Sequence, residues 1–111
     1  MDQCVFCAIA AGDIPAQMVA STDTVIAFRD IAPEAPVHVV VAPRLHVPTV
    51  AELASADPQL LADMARVAQR IADSESGGEF RWIFNTGAGA GQTVFHVHAH
   101  VMFGGTLGWD A

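Results

Sequence analysis

The chain has 111 residues, 52% of them hydrophobic, and a formal net charge of −7 with only five Lys and Arg. That length fits a single domain over 1–111 with a real core, though one of modest stability alone, so a homodimer is expected. So acidic a surface repels phosphate backbones and anionic lipid, which argues against nucleic acid and membrane as partners but not against a small nucleotide held by local amides and imidazoles.

Met1-Asp2-Gln3-Cys4 lacks the basic start of a signal peptide, and no apolar run reaches the length of a membrane span; a cytoplasmic protein is expected. The only cysteines, Cys4 and Cys7, stand in C-x-x-C spacing. In a reducing compartment this favours a metal or redox role over a structural disulfide, and the position outside any βαβ pattern weakens the redox reading. Asp2 is placed to cap a short helix over Val5–Ala11, with Val5, Phe6 and Ile9 on its apolar side and Gly12 ending it. Met18–Ser21 is a weak strand and Val25–Arg29 a better one. Two prolines make Ile31–Pro36 a turn, and β-branched Val37–Ala42 reads as a strand stopped at Pro43.

Asp57 as N-cap and Pro58 as first residue open one long amphipathic helix carrying Leu60, Leu61, Met64, Val67, Ala68 and Ile71. Ser74–Gly78 reads as loop. Phe80, Trp82 and Phe84 alternate with Glu79, Arg81, Ile83 and Asn85 in a further strand. The glycine-rich stretch Thr86–Gly91 then leads into Phe95-His96-Val97-His98-Ala99-His100-Val101. Extended backbone would project His96, His98 and His100 from one face, about 7 Å apart, and Phe95, Val97, Ala99 and Val101 toward a core. Solvent faces use Lys, Glu and Thr more than His, so three imidazoles in a row point to nucleophilic or proton-transfer chemistry, or to a metal. The short, helix-free link between the last two strands makes them antiparallel, giving an α+β fold with helices on one side of the sheet.

The run from Asn85 through Gly91-Gln92-Thr93 to His96-x-His98-x-His100 closely resembles the signature of the histidine triad (HIT) family. Around it, Cys4–Cys7 with Gly12–Ala16, Phe28–Pro33, Ala35–His38 and Pro43-Arg44-Leu45-His46 resemble further family elements, and Gly104-Gly105 and Trp109 resemble the tail of the nucleotide-binding Hint branch. The resemblance implies a HIT-like antiparallel sheet of about five strands with one long and one short helix. It implies hydrolysis of purine nucleoside phosphoramidates or nucleotidyl compounds such as those of AMP, with His98 attacking the α-phosphorus to form a nucleotidyl-histidine. His100, His96, His38 and Thr93 would assist, and Asn85, Gly91, Gln92, Thr93 and His100 would hold the phosphate, with backbone amides of 90–92 forming an anion nest. Asp30 would meet the ribose, while Val5, Phe6, Ile9, Phe28 and Ile31 would line the base pocket.

Cys4, Cys7, His46 and His96 make a Cys₂His₂ set of the kind that closes around structural zinc, and some relatives carry zinc on this pattern. No organic cofactor is implied. Thr106 stands where Arg is common after the glycine pair, and Phe103 lengthens the stretch before it, which leaves the leaving group open. Two other functions fit the residues: a metal-dependent hydrolase with all three triad histidines on one ion, and a nucleotide-binding module without turnover.

Overall fold

A computed structural model describes residues 4–107; Asp2 and Trp109 lie outside them. The elements are α1 (Val5–Ala11), β1 (Met18–Ser21), β2 (Val25–Arg29), β3 (Val37–Pro43), α2 (Val50–Ala56), α3 (Pro58–Glu75), β4 (Arg81–Phe84) and β5 (Ala99–Phe103). The strands form one five-stranded antiparallel sheet in the order β1-β2-β3-β5-β4. β5 therefore lies between β3 and β4, and β4 is an edge.

Alternation along the strands divides the interior in two. Val25, Ala27, Val39, Val41, Ala99 and Val101 face α2 and α3, where Leu53, Leu60, Met64, Val67, Ala68 and Ile71 meet them. Trp82 and Phe84 join that layer, as their alternation predicts. Ile26, Phe28, Val40 and Ala42 face the opposite way and pack on Phe6 and Ile9 of α1. The helices thus cover both faces, not one. Residues 25–28 of β2 and 39–42 of β3 are unbroken apolar runs because both faces are covered there.

α1 is short and covers only the β2–β3 half of its face. The β5–β4 half carries His100, Met102, Arg81 and Ile83, set by the pairs Ile83↔His100 and Arg81↔Met102. This uncovered half is where a site can form.

Several local expectations are corrected. The thiol of Cys4 caps α1, accepting from the Cys7 amide at 3.4 Å. Val5 is more than one-third exposed and so lies off the apolar side of α1. A second short helix, α2, precedes the long one. Its capping box was legible in Thr49-x-x-Glu52: Thr49 Oγ1 accepts from the Glu52 amide at 3.4 Å and donates to Glu52 Oε1 at 2.8 Å. Asp57 ends α2 and caps α3, its Oδ1 accepting from the Leu60 amide at 3.1 Å. α3 runs through Ser74 and Glu75, which were expected in a loop. An Arg29 fork on Glu75, at 2.6 and 2.7 Å, ties that last turn to β2 and favours the longer helix.

The triad run is also not wholly a strand. β5 starts only at Ala99, so His96 and His98 precede the ladder. The Val97 amide donates instead to the Val47 carbonyl at 2.7 Å, which draws this segment toward the β3–α2 connection. Side-chain alternation survives: Val97, Ala99 and Val101 are buried toward α3. Phe95 breaks from the expectation and is half exposed.

Candidate active site and metal centre

Four side chains converge where α1 meets the segments after β3 and before β5. Cys4 and Cys7 come from the first turn of α1, His46 from just past Pro43, and His96 from the triad run. Their ligand atoms all lie within 4.8 Å of one another. Cys4 Sγ is 3.4 Å from His96 Nδ1, Cys7 Sγ 3.4 Å from His46 Nδ1 and 3.5 Å from His96 Nδ1. The two Nδ1 atoms are 3.1 Å apart. Tetrahedral zinc with ordinary Zn–N and Zn–S bonds has N···N edges of about 3.3 Å and N···S edges of about 3.5 Å, so the cluster has the size of such a site. His96 is fully buried, and its Nε2–H donates to the Pro43 carbonyl at 2.7 Å, which leaves Nδ1 bare toward the cluster. Burial pushes the Cys7 thiol up, with Cys4 adding to it, and burial pushes the His96 imidazole down. A cation relieves the first cost and suits the second, so the donor set fits zinc.

His98 stands apart from that cluster. Its Nδ1–H donates to the His96 carbonyl at 2.8 Å, so Nε2 keeps its lone pair. Phe6 packs edge-on against His98 with ring centres 4.9 Å apart, and against His96 at 5.9 Å. Burial is the main cause holding His98 below the ordinary imidazole value, against its bond to the His96 carbonyl and the charge of Asp30. At neutral pH it is an uncharged imidazole with one free nitrogen, the form that attacks an electrophile.

The third histidine belongs to another group. The Glu34 amide donates to His38 Nδ1 at 3.0 Å, so His38 carries its proton on Nε2. That Nε2–H lies 2.9 Å from His100 Nδ1 and 3.3 Å from Asp30 Oδ2. His100 then accepts on Nδ1 and carries its own proton on Nε2. Burial first, then the neighbouring His98 and His38, holds His100 below the ordinary value. Asp30, His38 and His100 also lie close enough to share an ion. Binding one on His38 Nε2 would move a proton to Nδ1, against the Glu34 amide, so the hydrogen bonds favour a proton-fixed relay over a metal.

Among the described residues, neither close-packed ligand group includes His98, and the three triad histidines do not converge on one point. This corrects the reading in which all three bind one ion: residues two apart on extended backbone are spread along it, and each ring has found a different partner.

His100 and His38 line a cavity of about 300 Å³ together with Asn85, Glu34, Arg81, Ile83, Met102 and Leu107. Asn85 was expected at the site. Arg81 and Ile83 were not, although their alternation with Trp82 and Phe84 already assigned them to the opposite face of β4. Thr93 and Gly91 are exposed on the glycine-rich loop. Gly91 takes φ +97°, and a Cβ there would meet Asn85 Nδ2 at 4.0 Å.

Two expectations about that loop fail. Gln92 is buried, its Nε2 donating to the carbonyls of Pro48 and Val94 at 2.7 and 3.0 Å and its Oε1 accepting from the Gly87 amide at 2.9 Å. Its amide group is spent on holding the loop and does not present donors to a phosphate. The amides of Ala90, Gly91 and Gln92 donate within the loop to Gly87 and Ala88 carbonyls, so they form no open nest. A tight 3₁₀ turn consumes the groups that a nest would leave free.

Phe6 and Phe28 are buried and meet edge-on at 5.3 Å, Ile9 is half-buried, and Ile31 is fully exposed. The proposed base-pocket residues are thus part core, part surface. Asp30 uses Oδ1 to accept from the Ala32 amide at 2.8 Å and turns Oδ2 toward His38.

Residues 3–106 match a family model described as scavenger mRNA decapping enzyme C-term binding. The chain is 38% identical over 109 residues to a purine nucleoside phosphoramidase of Escherichia coli (strain K12), a match covering 96% of this chain and 92% of that one. A crystal structure of a HIT family hydrolase from Legionella pneumophila Philadelphia 1 superposes with a TM-score of 0.90 at 38% identity, covering 96% of this chain and 97% of that one. A Zn-bound histidine triad family protein from Mycobacterium smegmatis does so at 0.78 and 35%, covering 90% of this chain and 73% of that one. With the triad, the five-stranded sheet and these matches in agreement, the chain belongs to the histidine triad (HIT) family and is a hydrolase of that type.

Proposed function

We propose that the chain hydrolyses purine nucleoside phosphoramidates, with AMP as a representative nucleotidyl group, through a covalent nucleotidyl-His98 intermediate, in the manner of the Hint branch. The observation that carries this is the bond from His98 Nδ1–H to the His96 carbonyl, which leaves Nε2 unprotonated on a half-buried imidazole. His98 Nε2 forms a bond to the α-phosphorus as the P–N bond to the amine breaks, and the amine leaves with a proton from solvent, which the water of the second step returns. Water then forms a P–O bond, the P–Nε2 bond breaks, and nucleoside monophosphate departs.

His100, whose proton is fixed on Nε2 by the relay from His38, donates to the phosphoryl oxygens as charge builds there. Asn85, Thr93 and the Gly91 region supply the remaining contacts. Asp30 keeps lone pairs for the ribose hydroxyls beyond those it spends on Ala32 and His38. Phe6, Ile9 and Ile31 form the wall against which the base lies.

Cys4, Cys7, His46 and His96 would hold zinc. When bound, the ion cross-links α1 to the segments around Pro43 and His96. A reducing compartment such as the cytoplasm keeps both thiols available for this. β4 has its outer backbone groups open as the edge of the sheet, which supports a homodimer as the assembled form.

Adenosine phosphoramidate tests this reading. Wild-type protein should release AMP, and His98→Ala should lose turnover by at least about a thousandfold while keeping its circular dichroism spectrum. Rapid quenching should show one AMP mass added at His98. AMP binding by the wild type without turnover would instead mark a binding module. Metal analysis of protein purified without an affinity tag should find one zinc per chain, and Cys4→Ser should empty the site.

A further inference from the structure

The metal-ligand cluster and the reactive histidine are joined through one residue and one ring. His96 offers three groups to three partners: Nδ1 to the cluster, Nε2–H to the Pro43 carbonyl at 2.7 Å, and its own carbonyl to His98 Nδ1–H at 2.8 Å. It is fully buried, so the ring cannot turn without moving its backbone. Phe6 supplies a second link. It sits between Cys4 and Cys7 in sequence, is itself buried, and lays its edge on both His96 and His98.

We propose that His96 is a positioning residue that ties occupancy of the Cys4–Cys7–His46–His96 cluster to the tautomer and orientation of His98. The proposal takes His98 as the reactive group from the reading above, and goes beyond it in assigning a linkage between the two sites.

The physical reason lies in the 3.1 Å between His46 Nδ1 and His96 Nδ1. At that separation the pair is bridged either by a proton, with His46 Nδ1–H donating to the bare His96 Nδ1, or by a cation. A cation accepts both lone pairs and fixes both rings at once. Without one, the His96 ring gains a second arrangement in which its bond to Pro43 loosens. Its carbonyl then shifts, and His98 loses the acceptor that keeps its proton on Nδ1. At the same time α1 loses its cross-link to the rest of the site, and Phe6 no longer clamps the two imidazoles. The cluster would thus act on chemistry it never touches, by deciding which nitrogen of His98 is bare.

The test reads His98 directly. Protein labelled with ¹⁵N-histidine is loaded with zinc(II) alone, or stripped with EDTA, and long-range ¹H–¹⁵N spectra report the protonated nitrogen of each ring. Cys7→Ser, a change at a half-exposed ligand, repeats the comparison without a chelator. With zinc, His98 should show a single Nδ1–H tautomer. In stripped wild type and in Cys7→Ser it should show a mixture, while backbone amide shifts in α3 and β2 stay in place. Adenosine phosphoramidate turnover should then fall in kcat by about tenfold with KM held, since the fraction of competent His98 falls and the binding surfaces do not. Unchanged His98 ring shifts on stripping would overturn the proposal. So would failure to bind zinc, or global unfolding of both stripped protein and Cys7→Ser, which would make the cluster purely architectural. Absence of turnover in every sample, with the His98 shifts still following zinc, would sink the hydrolase reading and leave the linkage standing.

Discussion

His38 Nε2 lies 2.9 Å from His100 Nδ1, and the direction of the proton between them is fixed from outside the pair. The Glu34 amide, donating to His38 Nδ1, leaves only Nε2 to carry the hydrogen. His100 must therefore accept on Nδ1 and present N–H at its other end. A backbone amide, two residues before a proline, thus sets the donor that we propose meets the phosphate.

Replacing His38 with Ala should break this order at both ends. The Glu34 amide, on an exposed residue, loses its acceptor and half-buried His100 its donor, at about 1 kcal/mol of stability. Turnover of adenosine phosphoramidate should fall by roughly 10²-fold, the scale of a misplaced donor at developing charge. Urea melts and steady-state rates measure the two effects separately; an unaltered rate would show that His100 needs no partner.

Gln92→Ala should act on the loop and not on the phosphate. It leaves the Gly87 amide and two carbonyls without partners, about 2–3 kcal/mol in sum. Amide hydrogen exchange should rise across residues 86–94 while the α3 core stays protected. Loss of nucleotide affinity with unchanged exchange would restore Gln92 as a direct phosphate ligand.

The Arg29–Glu75 fork gives a pH-dependent contribution to stability. Glu75 is held below the usual carboxylate value, first by the hydrogen bonds from Arg29 and then by its charge, against the cost of burial. Its contribution is therefore complete above the ordinary carboxylate value of about 4.3 and is lost as pH falls through the depressed folded value. Both side chains are partly exposed, so solvent screening limits the effect to about 1 kcal/mol or less. Denaturant midpoints of wild type and Glu75→Gln should differ at neutral pH and converge in that acidic range. A constant gap across it would contradict the assignment.

Gly104→Ala should destabilise the end of β5. Gly104 has φ +93°, which L side chains rarely adopt, and a Cβ there would come within 3.2 Å of Pro36 Cγ. Backbone strain of this kind costs on the order of 1–3 kcal/mol. Thermal melts read the loss, and an equal melting temperature would mean that the Pro36 turn yields freely.

Much of this was legible in residue order. Strand alternation in 80–85, the β-branched run before Pro43 and Asp57-Pro58 each point to one element, because local periodicity and capping act over a few residues. Thr49-x-x-Glu52 carried the same kind of signal for α2. The extent of α3 past Ser74 depends on a partner 46 residues away, Arg29, and could not be read locally. Similarly, Gln92 as a phosphate donor and Gln92 as a loop staple look alike in sequence. The Pro48 carbonyl that decides between them comes from the far side of α2 and α3. Residue type pointed to a metal-ligand set at Cys4 and Cys7, but among five histidines the choice of His46 and His96 followed the family pattern.

The segment carrying His96 and His98 hangs from the Val97–Val47 bond before it enters the ladder at Ala99. A rung of the sheet would hold its neighbours rigidly through paired bonds on both sides. Here one crossing amide and the buried His96 ring, bonded to the Pro43 carbonyl, anchor the segment ahead of the ladder. His98, the nucleophile we propose, thereby stands outside the paired strands, and the His96 carbonyl orients it where a ladder rung would otherwise do so.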